Sequence, residues 1–298
     1  MSEESFSFQE LRAAGKANLA PSQSLQASDG VLFSYRRYAP ASPRAVVVFY
    51  HGGGAHSGVG YQHVGIGLQS QYDTVVYTPD IRGHGASDGP RGDAPSPRQV
   101  WDDITTMTKR VHADYRGLPL FLGGHSSGAA MILNYASQPH EPVSGYVFLS
   151  RQFGAQAHTD RPSVKAPLAR VDGAAFVGYA AGGGALHGDD YAVHFNYPAE
   201  LLARDPGLVP AITVNMSVAL IPSAPGAQFA GLDRPFGLWI GTDDELFVPE
   251  KVLAFADLAQ PLQPHSDVRS IVGANHLGIL LRAHEVIGPW IRNMVREA

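Results

Sequence analysis

The chain of 298 residues has no cysteine. That absence excludes a disulfide scaffold, a thiolate-bound zinc, an iron–sulfur cluster and a cysteine nucleophile. Charge is scarce as well: 16% of residues are Asp, Glu, Lys or Arg, against roughly 25% in an ordinary soluble protein. Positive charge is not in excess, because 22 Lys and Arg face 27 Asp and Glu for a net charge of −5. A dedicated nucleic-acid binder would carry a basic face, so no nucleic-acid partner is expected. No apolar run reaches the ~18 residues of a membrane span. Met1-Ser2-Glu3-Glu4 lacks the basic start and apolar stretch of a secretory signal, so the expected location is cytoplasmic. Apolar residues, by contrast, make up 44% of the chain, which suits a large core and not a disordered polymer. Glycine (33) and proline (22) are also plentiful, together above the roughly 12% of average usage, and announce many tight turns.

Those turns separate a regular rhythm. Residues 1–28 are polar, carry little pattern and read as a lead-in. An early strand starts at Val31-Leu32-Phe33-Ser34-Tyr35. Ala45-Val46-Val47-Val48-Phe49-Tyr50 follows as an unbroken apolar run. A strand apolar on both faces is one covered on both faces, as in the middle of a parallel sheet. The pattern recurs at Thr74 to Tyr77, Leu120 to Leu122, Tyr146 to Leu149, Leu238 to Ile240 and Val268 to Val272. Val100, Ile104, Met107 and Val111 share one helix face, as do Ile287, Trp290, Ile291 and Met294. Strands alternating with helices predict an α/β fold with a mostly parallel central sheet flanked by helices. Between 151 and 232 the rhythm breaks. So long a stretch is too much for a plain loop, so it reads as an inserted, mostly helical cap or lid, leaving 29–150 and 233–298 as the core.

Gly124-His125-Ser126-Ser127-Gly128 follows a predicted strand and precedes a helix-compatible run. This is G-x-S-x-G in a strand–turn–helix setting. A serine projecting from so sharp a turn needs small flanking residues, and the helix behind it offers free N–H groups to a developing oxyanion. The plainer reading is a glycine turn joining strand to helix. A serine nucleophile also needs a base and an acid to orient that base. Asp243-Asp244 stands just past the strand ending at Ile240, and His276 past the one ending at Val272. In open parallel sheets, sites assemble at that edge, and the order serine, acid, histidine is the one expected for this motif. Read alone, the Asp pair would be a helix N-cap and the histidine merely solvated. The oxyanion also needs donors. The backbone N–H of Ser127 is one, and the loop His51-Gly52-Gly53-Gly54, after the Tyr50 strand, is placed to give the second.

With these motifs in view, the chain resembles the α/β-hydrolases, and within them the monoacylglycerol lipase and lysophospholipase-like serine hydrolases. The residues that carry the resemblance are His51 to Ser57, Asp80-Ile81-Arg82-Gly83-His84-Gly85-Ala86-Ser87, Gly124 to Gly128, Gly241 to Asp244, and His276. It extends over about residues 30–298. It implies an α/β-hydrolase fold and cleavage of a carboxylic ester through an acyl-enzyme. Ser126 would be the nucleophile, His276 the base, Asp244 its orienting acid, and Gly53 and Ser127 the oxyanion N–H donors. Lipases of this group often carry a large apolar residue directly after the nucleophile, where this chain has Ser127. The same triad also serves thioester, amide and carbon–carbon hydrolysis and acyl transfer, and a related fold serves as a non-catalytic ligand-binding protein.

The remaining candidates are weaker. His56, His125, Arg151 and the cap residue Phe176 are taken as substrate contacts, although hydrogen bonding within the fold is the plainer role for a loop histidine. His187, Asp189, Asp190 and His194 offer four side chains of ligating type, but their spacing matches no catalytic zinc helix. Gly58 and Gly60 complete no dinucleotide fingerprint. Asp102-Asp103 sits early in a predicted helix, where negative charge is structural. Neither metal nor cofactor is expected, and the partner implied is a small acyl substrate.

Overall fold

The computed structural model describes residues 18–162 and 168–297. Eight strands form the central sheet: β1 (Ser22–Gln26), β2 (Leu32–Tyr38), β3 (Ala45–Tyr50), β4 (Thr74–Pro79), β5 (Leu120–His125), β6 (Gly145–Leu149), β10 (Phe236–Gly241) and β11 (Asp267–Ile271). Their order is β1-β2-β4-β3-β5-β6-β10-β11. β1–β2 and β2–β4 pair antiparallel, and every other neighbour is parallel.

The apolar runs become the covered middle of this sheet because alternate side chains serve opposite faces. Val46, Val48 and Tyr50 of β3 join one core with Leu122, Phe148 and Ile240, under the helices Pro97–Asp114 and Ser127–Ala136. Val47 and Phe49 join the other with Phe121, Val147 and Trp239, under the helices Tyr61–Tyr72 and His284–Glu297. The helix Pro97–Asp114 starts where the sequence marks it, with Pro97 in its first turn and Ser96 Oγ accepting from Gln99 N. No helix among the described residues is long and apolar enough to cross a membrane.

One expectation is corrected. The sheet begins inside the stretch read as a lead-in: β1 is an edge strand whose serines and glutamines alternate between half-buried and exposed. Residues 1–17 of that stretch lie outside the described residues. The insertion between β6 and β10 holds more helix than strand. Besides the helices Gly173–Ala181, Ala199–Arg204, Val214–Leu220 and Pro225–Ala230, it holds a three-stranded antiparallel sheet, β7 (Ala169–Val171), β8 (Tyr191–Phe195) and β9 (Ala211–Thr213). Strands this short carry too little alternation to declare themselves. Residues 163–167 of the insertion lie outside the described residues. The helix Val214–Leu220 packs on Pro97–Asp114 and Ser127–Ala136, so this segment shares the core of the main sheet.

Candidate active site

At the end of β5 the chain turns abruptly. Ser126 has φ 56° and ψ −123°, a region an L-residue occupies only under strain. A Cβ on Gly128 would meet His51 O at 2.2 Å, and one on Gly124 would meet Gly128 C at 2.7 Å. Both flanking glycines are therefore required by close approach. The turn is pinned by Ser126 N donating to Leu149 O at 3.0 Å. The helix Ser127–Ala136 follows directly, so the Ser127 amide lies in a first turn, where N–H groups have no intrahelical acceptor.

The loops after β10 and β11 supply the other two groups. Asp244 Oδ2 lies 2.8 Å from His276 Nδ1, both side chains being essentially inaccessible. Asp244 Oδ1 accepts from Leu246 N at 3.0 Å and Phe247 N at 2.9 Å. Burial pushes the Asp244 carboxyl up, but His276 and these amides outweigh it and hold the group below its ordinary value. Glu245 Oε2 accepts from His276 N at 2.8 Å, fixing the backbone that carries the imidazole. Asp243, the other acid of the pair, is exposed, and its carboxylate accepts from the Thr242 hydroxyl at 2.9 Å.

Ser126 and His276 line one small cavity of about 30 Å³, together with Gly53, Tyr61, His125 and Tyr197. Ser126, Gly53 and Ser127 also line a cleft of about 430 Å³ walled by Leu168, Val193, Phe195, Ile212, Leu220 and Phe247. The two spaces meet at the serine. The amide of Gly53 donates no hydrogen bond within the described residues, whereas the Gly52 amide is spent on Tyr61 Oη at 2.7 Å.

Behind these loops runs a hydrogen-bond chain that the sequence did not reveal. The Tyr61 hydroxyl accepts from Gly52 N and reaches His125 Nδ1 at 3.1 Å, and His125 Nε2 donates to His276 O at 2.8 Å. It ties together the loops after β3, β5 and β11. Burial, helped by nearby His276, lowers the His125 pKa to about 3, so this imidazole stays neutral and keeps one donor and one acceptor. The Asp80–Ser87 segment is structural in the same way. Asp80 accepts from Ser57 N at 2.6 Å and Ala86 N at 2.9 Å, and Arg82 grips Asp103 at 2.6 Å and Asp29 at 2.9 Å. His51 Nε2 accepts from Ile81 N at 3.0 Å.

Of the four expected substrate contacts, three line neither cavity and one borders the smaller. His56 Nε2 pairs with Asp205 Oδ1 at 3.0 Å and lines neither cavity. His125 does border the small cavity, but both its ring nitrogens are engaged in the chain above. Arg151 is fully buried and does not reach the cleft: its guanidinium carbon lies 4.1 Å from the Phe153 ring centre and 5.0 Å from that of Phe148. Burial drives its pKa well down, and none of its guanidinium nitrogens has a partner among the described residues. Phe176 packs against the core edge and lines neither cavity; Phe195 takes the place it was expected to fill. A cue for Phe195 existed in the aromatic and β-branched run Tyr191–Phe195, but nothing local aims it at Gly53. His187 pairs with Asp190 at 3.0 Å on the surface, and no three His, Cys, Asp or Glu among the described residues are grouped to hold a metal.

An eight-stranded, mostly parallel sheet with a strained serine turn after β5, and with a carboxylate–imidazole pair on the loops after later strands, defines an α/β-hydrolase. A family model described as serine aminopeptidase, S33, matches residues 41–276, and the chain belongs to that family. The human monoglyceride lipase is 32% identical over 124 residues, which cover 41% of this chain and 40% of the human protein. The Escherichia coli protein YnbC is 29% identical over 227 residues, 73% of this chain and 37% of that one. The chain thus spans about two fifths of the length of these relatives. Among solved structures, a soluble variant of the Saccharomyces cerevisiae monoglyceride lipase in complex with a substrate analog aligns at TM-score 0.69 and 17% identity, covering 94% of this chain and 97% of that one. A thermostable carboxyl esterase from Bacillus coagulans in complex with glycerol aligns at TM-score 0.69 and 20% identity, covering 93% and 100%. At such identities the likeness is one of fold.

Proposed function

We propose that the protein is a serine hydrolase that cleaves carboxylic esters, of monoacylglycerol or smaller acyl type, through an acyl-enzyme. The observation that carries this reading is the buried 2.8 Å contact between His276 Nδ1 and Asp244 Oδ2, with Ser126 and His276 on the wall of one cavity. Asp244 holds the tautomer in which His276 Nδ1 donates, which leaves Nε2 as the base. Ser126 Oγ attacks the ester carbonyl and gives its proton to His276. The amides of Gly53 and Ser127 receive the oxyanion. As the intermediate collapses, the carbon–oxygen bond breaks and His276 protonates the leaving alcohol; water then repeats the sequence on the acyl-enzyme. The cleft, mostly apolar but also lined by Gln152, Asp160 and Arg161, accommodates the acyl chain, and the insertion 151–232, which supplies Phe195, Ile212 and Leu220 to its wall, acts as the cap that selects it. Likeness to the human monoglyceride lipase, the yeast monoglyceride lipase and the Bacillus coagulans carboxyl esterase supports an ester substrate by analogy. The test is labelling with a fluorophosphonate. Wild-type protein is expected to label at Ser126 and to hydrolyse p-nitrophenyl esters, while Ser126→Ala does neither; labelling at another residue, or undiminished turnover in that variant, rules the assignment out.

A further inference from the structure

Ser127 holds a hydroxyl that the fold does not use. The residue is 7% exposed, and its Oγ is buried without a hydrogen-bond partner among the described residues. Buried hydroxyls are normally paired, and each exception calls for an explanation. Its neighbour across the site is Gly53: a Cβ built on that glycine would stand 3.1 Å from Ser127 Oγ. Gly53, Ser126 and Ser127 border the same cleft. Three donors from two residues therefore gather beside the nucleophile: the Gly53 amide, the Ser127 amide and the Ser127 hydroxyl.

We infer that the Ser127 hydroxyl is a third donor to the oxyanion, an inference that rests on the acyl-enzyme reading above. When Ser126 Oγ bonds to the carbonyl carbon, the carbonyl π pair moves to its oxygen and the serine proton passes to His276. The Ser127 O–H then rotates about its single bond to donate to that oxygen, and no covalent bond of Ser127 changes. On collapse the electron pair returns, the leaving oxygen departs with the proton from His276, and Ser127 is released unaltered. A hydroxyl facing an anionic oxygen makes a shorter and stronger bond than one facing a neutral carbonyl. The contact consequently strengthens in the transition state and lowers the barrier instead of merely tightening substrate binding. Beyond the amide expected of Ser127, its side chain then responds to substitution.

The experiment compares wild type with Ser127→Ala and Ser127→Gly, both of which remove the hydroxyl and keep the amide. Steady-state rates on a p-nitrophenyl ester are measured alongside the affinity for a trifluoromethyl ketone, whose hemiketal oxyanion occupies the hole. Both variants are expected to lose about 10- to 100-fold in kcat with KM within about two-fold, and to lose ketone affinity by a matching factor. Circular dichroism melts should stay close to wild type. Four results would overturn the inference: unchanged kcat, a loss confined to KM, losses that differ widely between Ala and Gly and so follow volume, or a loss seen only for esters bearing an oxygen on the acyl chain. Fluorophosphonate labelling of Ser126 keeps the two readings apart. If wild type labels and the variants keep full kcat, only the Ser127 inference fails; if wild type does not label, the acyl-enzyme reading fails and takes this one with it.

Discussion

Ser126 stands at a strained turn, as the proposed nucleophile would. At φ 56° and ψ −123°, alanine would suffer the same backbone conflict and glycine would not. Ser126→Gly is therefore expected to be about 1 kcal/mol more stable than Ser126→Ala in urea unfolding, with both inactive; equal stabilities would mean that the turn is unstrained in solution. The neighbouring acids separate as sharply. Asp244→Asn is expected to lower kcat by about three to four orders of magnitude, through the wrong imidazole tautomer. Asp243→Asn, altering an exposed side chain hydrogen-bonded to Thr242, should retain most of it. The reverse order in a kinetic assay would move the role to Asp243. Arg151 makes a third case. A cation sealed among phenyl rings without a hydrogen-bonding partner is costly, and a well-packed apolar side chain of similar length is often neutral or better. Arg151→Met should thus leave turnover intact and hold or raise Tm; a large loss of stability would show that the cation–π contacts repay its burial.

At the scale of elements, what could be read and what could not divide along physical lines. β3, β4, β5, β6 and β10 are buried on every residue, so their unbroken apolar runs stood out against the chain. The motifs sit at their ends, so the loops that carry Ser126, Asp244 and His276 were legible from the sequence. β1 and the small sheet β7–β9 are half-wet and short, and half-wet strands of Ser, Gln or Ala look like loop. The contacts that hold the catalytic loops in register were illegible for a different reason: Tyr61, His125 and Glu245 act across separations of 31 to 151 residues, which no local pattern encodes. Glu245 tests this level. Its bond to His276 N positions the imidazole without touching substrate, so Glu245→Ala should cost about ten-fold in kcat, with the rate against pH shifted or broadened as the imidazole loosens. Glu245→Gln, which keeps an acceptor, should restore most of the loss; equal losses in both would point to charge instead.

For the molecule as a whole, the imidazoles of His51, His84 and His125 are the ones whose resistance to protonation is large. Burial lowers His51 to about 4, and burial with neighbouring cationic groups lowers His84 and His125 to about 3, against an ordinary value near 6.5. Because the folded values lie below the unfolded ones, their contribution is complete above about pH 6.5 and is withdrawn as pH falls from there toward 4 and 3. Urea unfolding near pH 5 should accordingly take up as many as about three protons from these groups, and His84→Phe should remove about one. A stability curve flat between pH 7 and 4.5 would contradict the burial of all three.

The inner surface of the insertion has a consequence for how such a protein can be altered. Tyr197 Oη donates to Gly53 O at 3.1 Å, Val209 N donates to Gly54 O at 2.9 Å, and the Phe195 ring lies where a Cβ on Gly53 would sit, 2.8 Å away. The segment that walls the larger cleft is thus also the scaffold for the loop 51–54. Under the proposed function, selectivity and turnover are consequently not separable modules in this chain. Grafting the corresponding segment of a relative between β6 and β10 would import a new preference together with a misplaced Gly53 amide. Only chimeras that carry residues 51–54 along with the graft would change what the protein accepts without slowing it.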